Sequence, residues 1–220
     1  MIERPLRVVQ DSSGDENGNG NGGTAARIEE AALELFFERG YKSTSMRDIA
    51  QALGITAAAL YNHYPSKDQI LFAMVRRLHE ELESSLVAAV ASVKDDPRDR
   101  LAALTRAHAV IHTRYRKDAH VANSEIFSLE EPGRSEIIAS RTRMRDAFRR
   151  EIVRGMESGV FKVDDATVTT FAIINMGIRI AEWFVPGGRM SADEVAGIHA
   201  DLALRMAGAK PRRNGGNGKR

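Results

Sequence analysis

Apolar residues recur at helical spacing through almost the whole body of this chain, from residue 24 to residue 207. They return every three or four positions, and strand-length alternation of apolar and polar residues is hard to find. N-cap residues divide this pattern at Ser45, Thr56, Ser66 and Ser191, and Gly40 marks a helix end. The chain is therefore predicted to be all-α, with nine helices: three in the first 45 residues of the body and six longer ones after them.

The same start and stop signals give the bounds of the predicted helices. The first helix is expected to start at the cap Thr24, and two short helices are expected to follow Ser45 and Thr56. Bounds are predicted for five of the six longer helices, over 67–93, 97–117, 135–158, 165–184 and 192–207. A looser stretch is expected between 118 and 133.

The two ends of the chain differ in composition from the body. Residues 11–23 contain only Gly, Asn, Ser and acidic residues, and residues 210–220 carry five basic residues and no acidic one. Such segments bury too little apolar surface to offset the entropy of ordering. Disordered tails are therefore predicted over 1–23 and 208–220, the second of them basic.

The overall charge has to be divided before it is interpreted. The formal net charge is +2, and the basic C-terminal tail contributes +5 of it while residues 1–23 contribute −2. The body between them is therefore close to neutral, at −1. A nucleic acid would have to be bound by a local patch of this body, since its overall field is weak.

The composition also excludes several classes of protein. The chain has no cysteine, which excludes a disulfide scaffold, Cys-ligated metals and a thiol nucleophile. It shows no 18-residue apolar run and no charged-then-apolar leader, so a soluble, cytoplasmic protein without a membrane partner is expected. No Ser-His-acid motif, HExxH pair or Gly-rich loop between a strand and a helix is present, so neither an enzyme nor a cofactor is expected.

A long helix followed by two short ones, joined by a tight turn at Gly54, is the pattern of a helix-turn-helix. The second short helix would enter the major groove of DNA, which is about 12 Å wide and favours small leading residues such as Ala57, Ala58 and Ala59. Leu60 and Tyr64 fall at positions where the core of three helices needs filling. This segment is therefore predicted to read DNA.

Polar residues next to this helix suit contacts with phosphate. Tyr61, His63 and Lys67 cluster just beyond its end, where phosphate donors are expected. Arg47 stands in the first turn of the preceding helix, where a cation is unfavourable unless an anion lies nearby. This local conflict itself indicates a functional position.

Residues 31–74 closely resemble the DNA-binding domain of TetR-family transcriptional regulators. The resemblance is carried by Phe36, Gly40-Tyr41, Thr44-Ser45-Met46, Asp48-Ile49-Ala50, Gly54-Ile55, Leu60-Tyr61, His63-Tyr64 and Ser66-Lys67. It implies a helix-turn-helix domain over 24–68 and a six-helix ligand-binding and dimerisation domain over 69–207.

The resemblance also implies the roles of single residues. The phosphate backbone would be held by Thr44, Ser45, Tyr61, His63 and Lys67. Base edges would face Thr56, Ala57 and Ala58, and Arg47 would reach a phosphate or a flanking base. Asn62 replaces the aromatic phosphate contact of many relatives, and alanine offers no bidentate contact to a base. We therefore expect recognition through thymine methyl groups and DNA shape.

Two arginines interrupt apolar faces in the second domain. Arg141 lies within the stripe formed by Ile137, Met144, Phe148 and Ile152. Arg179 lies in a polar line with Asn175 and Glu182. Each arginine either anchors an acidic effector in an apolar pocket or makes an ordinary surface pair, Arg179 with Glu182 for instance.

His108 and His112 are four residues apart on one helix, which is the spacing of half a metal site. No neighbouring acidic residue or cysteine completes such a site, so the two histidines are expected to line the effector cavity and no metal is expected. The predicted ligand-binding residues are His108, Ile111, His112, Tyr115, Arg141, Met144, Phe148, Asn175 and Arg179.

The family resemblance further implies a homodimer paired through its last two helices. The apolar positions available there are Ile173, Ile180, Val195, Ile198, Leu202 and Met206. Such a dimer presents two recognition helices to a roughly palindromic operator on double-stranded DNA. The expected function is a repressor released by a small-molecule effector; the alternative is a small-molecule-binding module or an activator.

Residues 182–195 give a hint about the effector. They look like the equivalent stretch of TetR regulators of fatty-acid and sterol degradation, some of which respond to acyl-CoA. Some of those regulators carry an arginine before the tryptophan, where this chain has Glu182. The resemblance implies an apolar or acidic effector, such as a fatty acyl or acyl-CoA compound, and Glu182 does not supply that arginine's contact to a phosphate.

Overall fold

The computed structural model describes residues 20–209, and every regular element in them is helical. The predicted all-α class is confirmed, and residues 20–209 form nine α-helices when the broken pair α8–α9 is taken as one. A 3-10 turn covers Ile126–Ser128. The helices are α1 (Gly20–Arg39), α2 (Met46–Leu53), α3 (Ala57–Tyr61), α4 (Lys67–Ala91), α5 (Pro97–Arg114), α6 (Arg116–Ser124), α7 (Gly133–Glu157), α8 (Ala166–Ile178), α9 (Ile180–Trp183) and α10 (Ala192–Met206).

Three details differ from the sequence-based prediction. Helix α1 begins four residues before Thr24, because extending a formed helix is far easier than nucleating one. Helix α6 occupies the stretch expected to be looser, because Ala119, Val121 and Ala122 find burial against neighbouring helices. The last apolar helix breaks at Arg179 into α8 and α9.

The predicted tails lie mostly outside the described residues, over 1–19 and 210–220. Of the positions that the structure does describe, residues 20–23 belong to α1 and Ala209 packs against the core. Both predicted tails therefore reached a few residues too far into the fold.

The first three helices enclose a small core of their own. Ile28, Ala32 and Phe36 of α1 are buried against Ile49 of α2 and Leu60 of α3. The glycines that end α1 and α2 both have positive φ, +85° at Gly40 and +67° at Gly54. This left-handed conformation is accessible to glycine at little energetic cost, and it allows the two sharp turns that bring α2 and α3 together.

Helix α4 joins this unit to the rest of the molecule. Its first turns bury Ile70 and Leu71, and its later turns bury Leu78, Leu82 and Leu86 in one continuous apolar core. Helices α4, α5 and α7 pack together at the centre of the second domain, and α10 lies along α5. In the part of the chain that the structure describes, no helix is both long and apolar enough to cross a membrane.

Candidate nucleic-acid interface and effector cavity

Helix α3 is short, and its two faces have different roles. Thr56 caps it, because the side-chain oxygen accepts a hydrogen bond from the Ala59 backbone N–H at 3.1 Å. Leu60 points inward and is fully buried, whereas Ala58 is exposed and Tyr61 keeps 52% of its surface in solvent. The outward face of α3 therefore presents a small side chain, that of Ala58, and the aromatic hydroxyl of Tyr61 to solvent.

Helix α2, which precedes α3 in the chain, begins with a capping box. Ser45 Oγ accepts from the Asp48 backbone N–H at 3.2 Å, and Asp48 accepts from the Ser45 backbone N–H at 2.7 Å. The Ser45 hydroxyl also donates to the Asp48 carboxylate, and this hydrogen bond, with the one from the Ser45 backbone N–H, lowers the pKa of Asp48 below its usual value. Arg47 is exposed in the same turn, so its guanidinium is available to an anion.

Thr44 does not fit its predicted role as a phosphate contact. Its side chain is 98% buried, with 2% exposed, and its hydroxyl donates to the carbonyl oxygen of Gly40 at 3.0 Å. A second carbonyl, that of Leu35, lies 3.4 Å away. The hydroxyl stabilises the turn after α1, so the side chain is excluded from the candidate interface.

Lys67 is also held within the protein. Its Nζ donates to the carbonyl oxygens of Tyr41 and Thr44, each at 2.6 Å, and lies 4.1 Å from the centre of the Tyr41 ring. Burial lowers the pKa of this ammonium below its ordinary value. Two of its three N–H groups are thus used internally, and Lys67 positions the loop between α1 and α2.

Tyr64 is part of the core, as predicted, and its hydroxyl connects two helices. The hydroxyl donates to Glu29 of α1 at 2.6 Å, and the same carboxylate pairs with Arg77 of α4. Burial and the Glu29 carboxylate raise the pKa of Tyr64. The end of α3 is therefore fixed to α1 and, through Glu29, to α4.

A small cavity lies inside the second domain, between α4, α5, α6, α7 and α8. Its volume is about 40 Å³, close to that of one or two water molecules. His108, Ile111, His112, Arg141 and Met144, which were predicted to bind an effector, all line it. The remaining lining residues are Leu78, His79, Leu82, Ala122, Asn123 and Ile178.

Arg141 is half-buried and reaches across this cavity from α7. Its guanidinium donates to the Ala122 carbonyl at 2.9 Å, to the Asn123 side-chain oxygen at 3.2 Å and to His79 Nε2 at 3.3 Å. All three partners are neutral acceptors. Burial lowers the pKa of Arg141 below its usual value.

The histidines around Arg141 are buried and neutral at pH 7. His79 Nδ1 donates to the Val75 carbonyl at 2.8 Å, and His112 Nδ1 donates to the His108 carbonyl at 2.9 Å. Burial lowers the pKa values of His79 and His112 to about 4, and that of His108 is also lowered. His108 is 2% exposed, and its Nε2 has no hydrogen-bond partner among the described residues.

Four of the predicted ligand-binding residues do not line this cavity. Tyr115 faces a separate cleft beside α1, and Phe148 lies behind the His108 ring, 5.9 Å away between centres. Asn175 is exposed. Arg179 is exposed and pairs with Glu182, which is the ordinary surface pair considered above. The break of the helix at Arg179 turns this side chain away from the interior.

His79 and Asn123 line the cavity but were missed from the sequence. His79 interrupts the apolar stripe of α4 between Val75 and Leu82, which is the same kind of signal that pointed to Arg141. Asn123 gave no such signal, because α6 itself was not predicted. No group of three potential metal ligands occurs within residues 20–209.

The predicted dimer residues fall into two groups. Ile173, Ile180 and Val195 are buried within their own chain and cannot face a partner. Their apolar stripe packs on the core of the second domain. Large apolar side chains that remain exposed on α8 and α10 are Val168, Phe171, Ile198, Leu202 and Met206.

The structure combines a capped helix-turn-helix, one long connecting helix and a helical domain with an internal cavity. This combination is typical of DNA-binding regulators that carry a separate effector domain. Two family descriptions match the chain: "Bacterial regulatory proteins, tetR family" over residues 28–74, and "Tetracyclin repressor-like, C-terminal domain" over residues 94–207. The chain belongs to the TetR family of transcriptional regulators.

Individual relatives support this assignment along most of the chain. The HTH-type transcriptional repressor KstR2 of Rhodococcus jostii is 27% identical over 188 residues, which cover 84% of this chain and 92% of that protein. A solved TetR-family protein from Rhodococcus RHA1 is 31% identical, with a TM-score of 0.78 over 84% of this chain and 97% of its own. The structure of AibR with isovaleryl coenzyme A and operator DNA is 28% identical, with a TM-score of 0.73 over 84% and 99%.

Proposed function

We propose that this chain is a homodimeric repressor that binds a roughly palindromic operator and is released by a small-molecule effector. The observation that carries the proposal is the outward face of α3, where Ala58 and Tyr61 are exposed on a helix that Thr56 caps, with Arg47 exposed on the preceding helix. Ser45 is also exposed at the start of α2, and Ala57 and His63 are half-buried. Small side chains let the helix approach the bases closely, while the flanking groups contact phosphates.

The exposed apolar side chains of α8 and α10 favour pairing with a second copy of this chain. Monomeric proteins rarely leave several large apolar side chains on neighbouring helices in water. Phe171, Ile198 and Leu202 would be covered by their counterparts in a two-fold dimer. Two copies of α3 would then reach successive turns of the same DNA duplex, as a palindromic operator requires.

The effector is proposed to be an apolar or acidic compound such as a fatty acyl or acyl-CoA compound. Its site would be the cavity around Arg141, where a guanidinium stands among apolar side chains. AibR, a structural relative of this chain, was solved with an acyl-CoA and operator DNA bound. Binding of the effector and binding of the operator would be coupled if the effector favours a spacing of the two α3 helices that does not fit the DNA. The coupling free energy of such systems is typically about 1–3 kcal/mol.

A fluorescence anisotropy titration tests the proposal with the DNA that lies upstream of the chain's own gene. We expect binding of two chains per site, with an affinity that falls steeply as salt is raised, because phosphate contacts release counterions. A random duplex of equal length is the control and should bind much more weakly. Equal binding of both duplexes, or no binding at low salt, would contradict a repressor role.

A further inference from the structure

We propose that the effector is held as a carboxylate by Arg141, and that its binding withdraws the guanidinium from the C-terminal end of α6. The inference rests on the proposed effector-responsive function and deepens it. It names the charged group that the cavity recognises and the first contact within the protein that this group breaks.

The first argument is that Arg141 lacks a counterion. Among the described residues no carboxylate pairs with it, whereas its neighbour Arg143 on the outer face of α7 pairs with Glu83. A buried charge held only by neutral acceptors is costly compared with one that is paired. A carboxylate entering the cavity would supply the missing charge and match the planar fork of the guanidinium.

The second argument is the unpartnered ring nitrogen of His108. The ring lines the cavity, is almost fully buried and leaves Nε2 without a partner in the part of the chain that is described. A neutral imidazole that carries its proton on Nε2 donates one hydrogen bond. His108 would therefore offer a further hydrogen-bond donor to a ligand in the cavity that Arg141 also lines.

The rest of the lining suits a hydrocarbon body. Leu78, Leu82, Ile111, Met144 and Ile178 are apolar and surround the polar end. The present volume of about 40 Å³ is too small for such a ligand, so binding must widen the cavity. The direct route outward passes Asn123 and Ile178, because both residues also line a surface cleft of about 210 Å³ between α6 and α9.

Helix α6 connects this site to the DNA-binding unit. At one end, Ala122 and Asn123 accept hydrogen bonds from Arg141. In the middle of the helix, the His120 ring lies edge-on to Phe37 of α1, 5.2 Å between centres. At the other end, the Arg116 guanidinium lies 5.0 Å from the centre of the same ring. A ligand that takes Arg141 from α6 therefore loosens the helix that holds α1.

Isothermal titration calorimetry of the full chain with octanoate tests this site without any DNA. We expect octanoate to bind, the uncharged octanol to bind at least 10-fold more weakly, and Arg141→Gln to weaken octanoate binding at least 10-fold. Arg141→Lys keeps the charge but not the planar guanidinium, so we expect an intermediate loss of octanoate affinity. Arg143→Gln removes the same charge from the outer face of α7 and should bind octanoate like the wild type.

The opposite results are equally clear. Equal binding of octanol and octanoate, or unchanged octanoate affinity in folded Arg141→Gln, would overturn the proposal, with folding checked by circular dichroism. Binding of octanoyl-CoA without binding of octanoate would also overturn it, since the thioester has no carboxylate. Because the titration contains no DNA, its failure leaves the proposed repressor function standing, and a failure to bind DNA leaves the titration valid.

Hydrogen exchange tests the release of α6. We expect backbone amides in residues 116–124 to exchange faster when octanoate is bound, while those in the buried turns of α5 exchange as before. Unchanged or slower exchange in α6 on saturation with octanoate would overturn the release step.

Discussion

The ammonium of Lys67, at the first residue of α4, lies 2.6 Å from the carbonyl oxygen of Thr44, at the end of the loop that leads into α2. A cation at a helix N-terminus is unfavourable by itself, and this carbonyl together with that of Tyr41 compensates for it. The contact fixes where α2 begins relative to α4. Since α2 carries Arg47 and packs against α3, Lys67 contributes to the position of both short helices of the helix-turn-helix.

Replacing Lys67 by methionine should therefore reduce the stability of the protein as well as its affinity for DNA. The substitution leaves two carbonyl groups without their charged donor, and we expect the free energy of unfolding to fall by about 1–3 kcal/mol. Urea denaturation followed by circular dichroism measures this. Lys42→Met, at an exposed position of the same loop, is the control and should change stability little. Unchanged stability of Lys67→Met would restrict Lys67 to a phosphate contact.

The buried histidines predict a loss of stability at mildly acidic pH. His79 and His112 have pKa values of about 4 in the folded chain, against 6.5 for an exposed histidine. Between these values the unfolded chain binds protons that the folded chain does not, so the free energy of unfolding falls as pH is lowered from 6.5 towards 4. Each histidine contributes about 1.4 kcal/mol per pH unit across that window.

Urea denaturation at pH 7 and pH 5 checks this dependence. His112→Gln should reduce the difference between the two pH values by about 2 kcal/mol. Asn62→Gln, at an exposed position at the end of α3 with no titratable group, should leave the difference unchanged. An equal difference in the wild type and in His112→Gln would show that burial does not hold this ring neutral.

Replacing Arg141 by methionine should not destabilise the ligand-free protein. The variant loses three hydrogen bonds to neutral acceptors but also removes a half-buried charge that no carboxylate within residues 20–209 compensates. We expect a free energy of unfolding that is higher than that of the wild type, or lower by no more than about 1 kcal/mol. A loss above about 2 kcal/mol would mean that Arg141 serves the fold and not an effector.

The exposed apolar face of α8 and α10 predicts the position of the dimer interface. Leu202→Arg places a charge at the centre of this face and should convert the dimer into a monomer in sedimentation velocity experiments. Val87→Arg alters an equally apolar and more exposed position on α4, at 72% exposure, and should leave the dimer intact. A Leu202→Arg protein that sediments as a dimer would place the interface elsewhere.

Much of this architecture follows from the sequence alone because it depends on local signals. The caps at Ser45, Thr56 and Ser191 act on the next three residues, and all three form as predicted. The helix-turn-helix follows from those caps and from Gly54. Helix α6 was missed because burial against other helices, which its own residues do not reveal, stabilises it.

The roles of the site residues were harder to predict because they depend on which way each side chain points in the fold. Sequence places Thr44 and Lys67 beside the interface, but only the fold shows that their polar atoms turn inward to carbonyl groups. The resemblance likewise pointed to apolar residues of the last two helices, Ile173 and Val195 among them, as the dimer interface. Only the fold shows that these two side chains are buried in their own chain while Phe171 and Ile198 remain exposed.

The outward face of α3 is proposed to enter the DNA groove, and introducing a negative charge at Ala58 tests this placement. Fluorescence anisotropy with the upstream duplex would compare Ala58→Glu with Ala91→Glu, an exposed alanine at the far end of α4. Since a carboxylate in the groove meets phosphate charge on both sides, we expect Ala58→Glu to weaken binding at least 100-fold and Ala91→Glu to bind like the wild type. Wild-type affinity in a folded Ala58→Glu protein would show that this face of α3 does not enter the DNA groove.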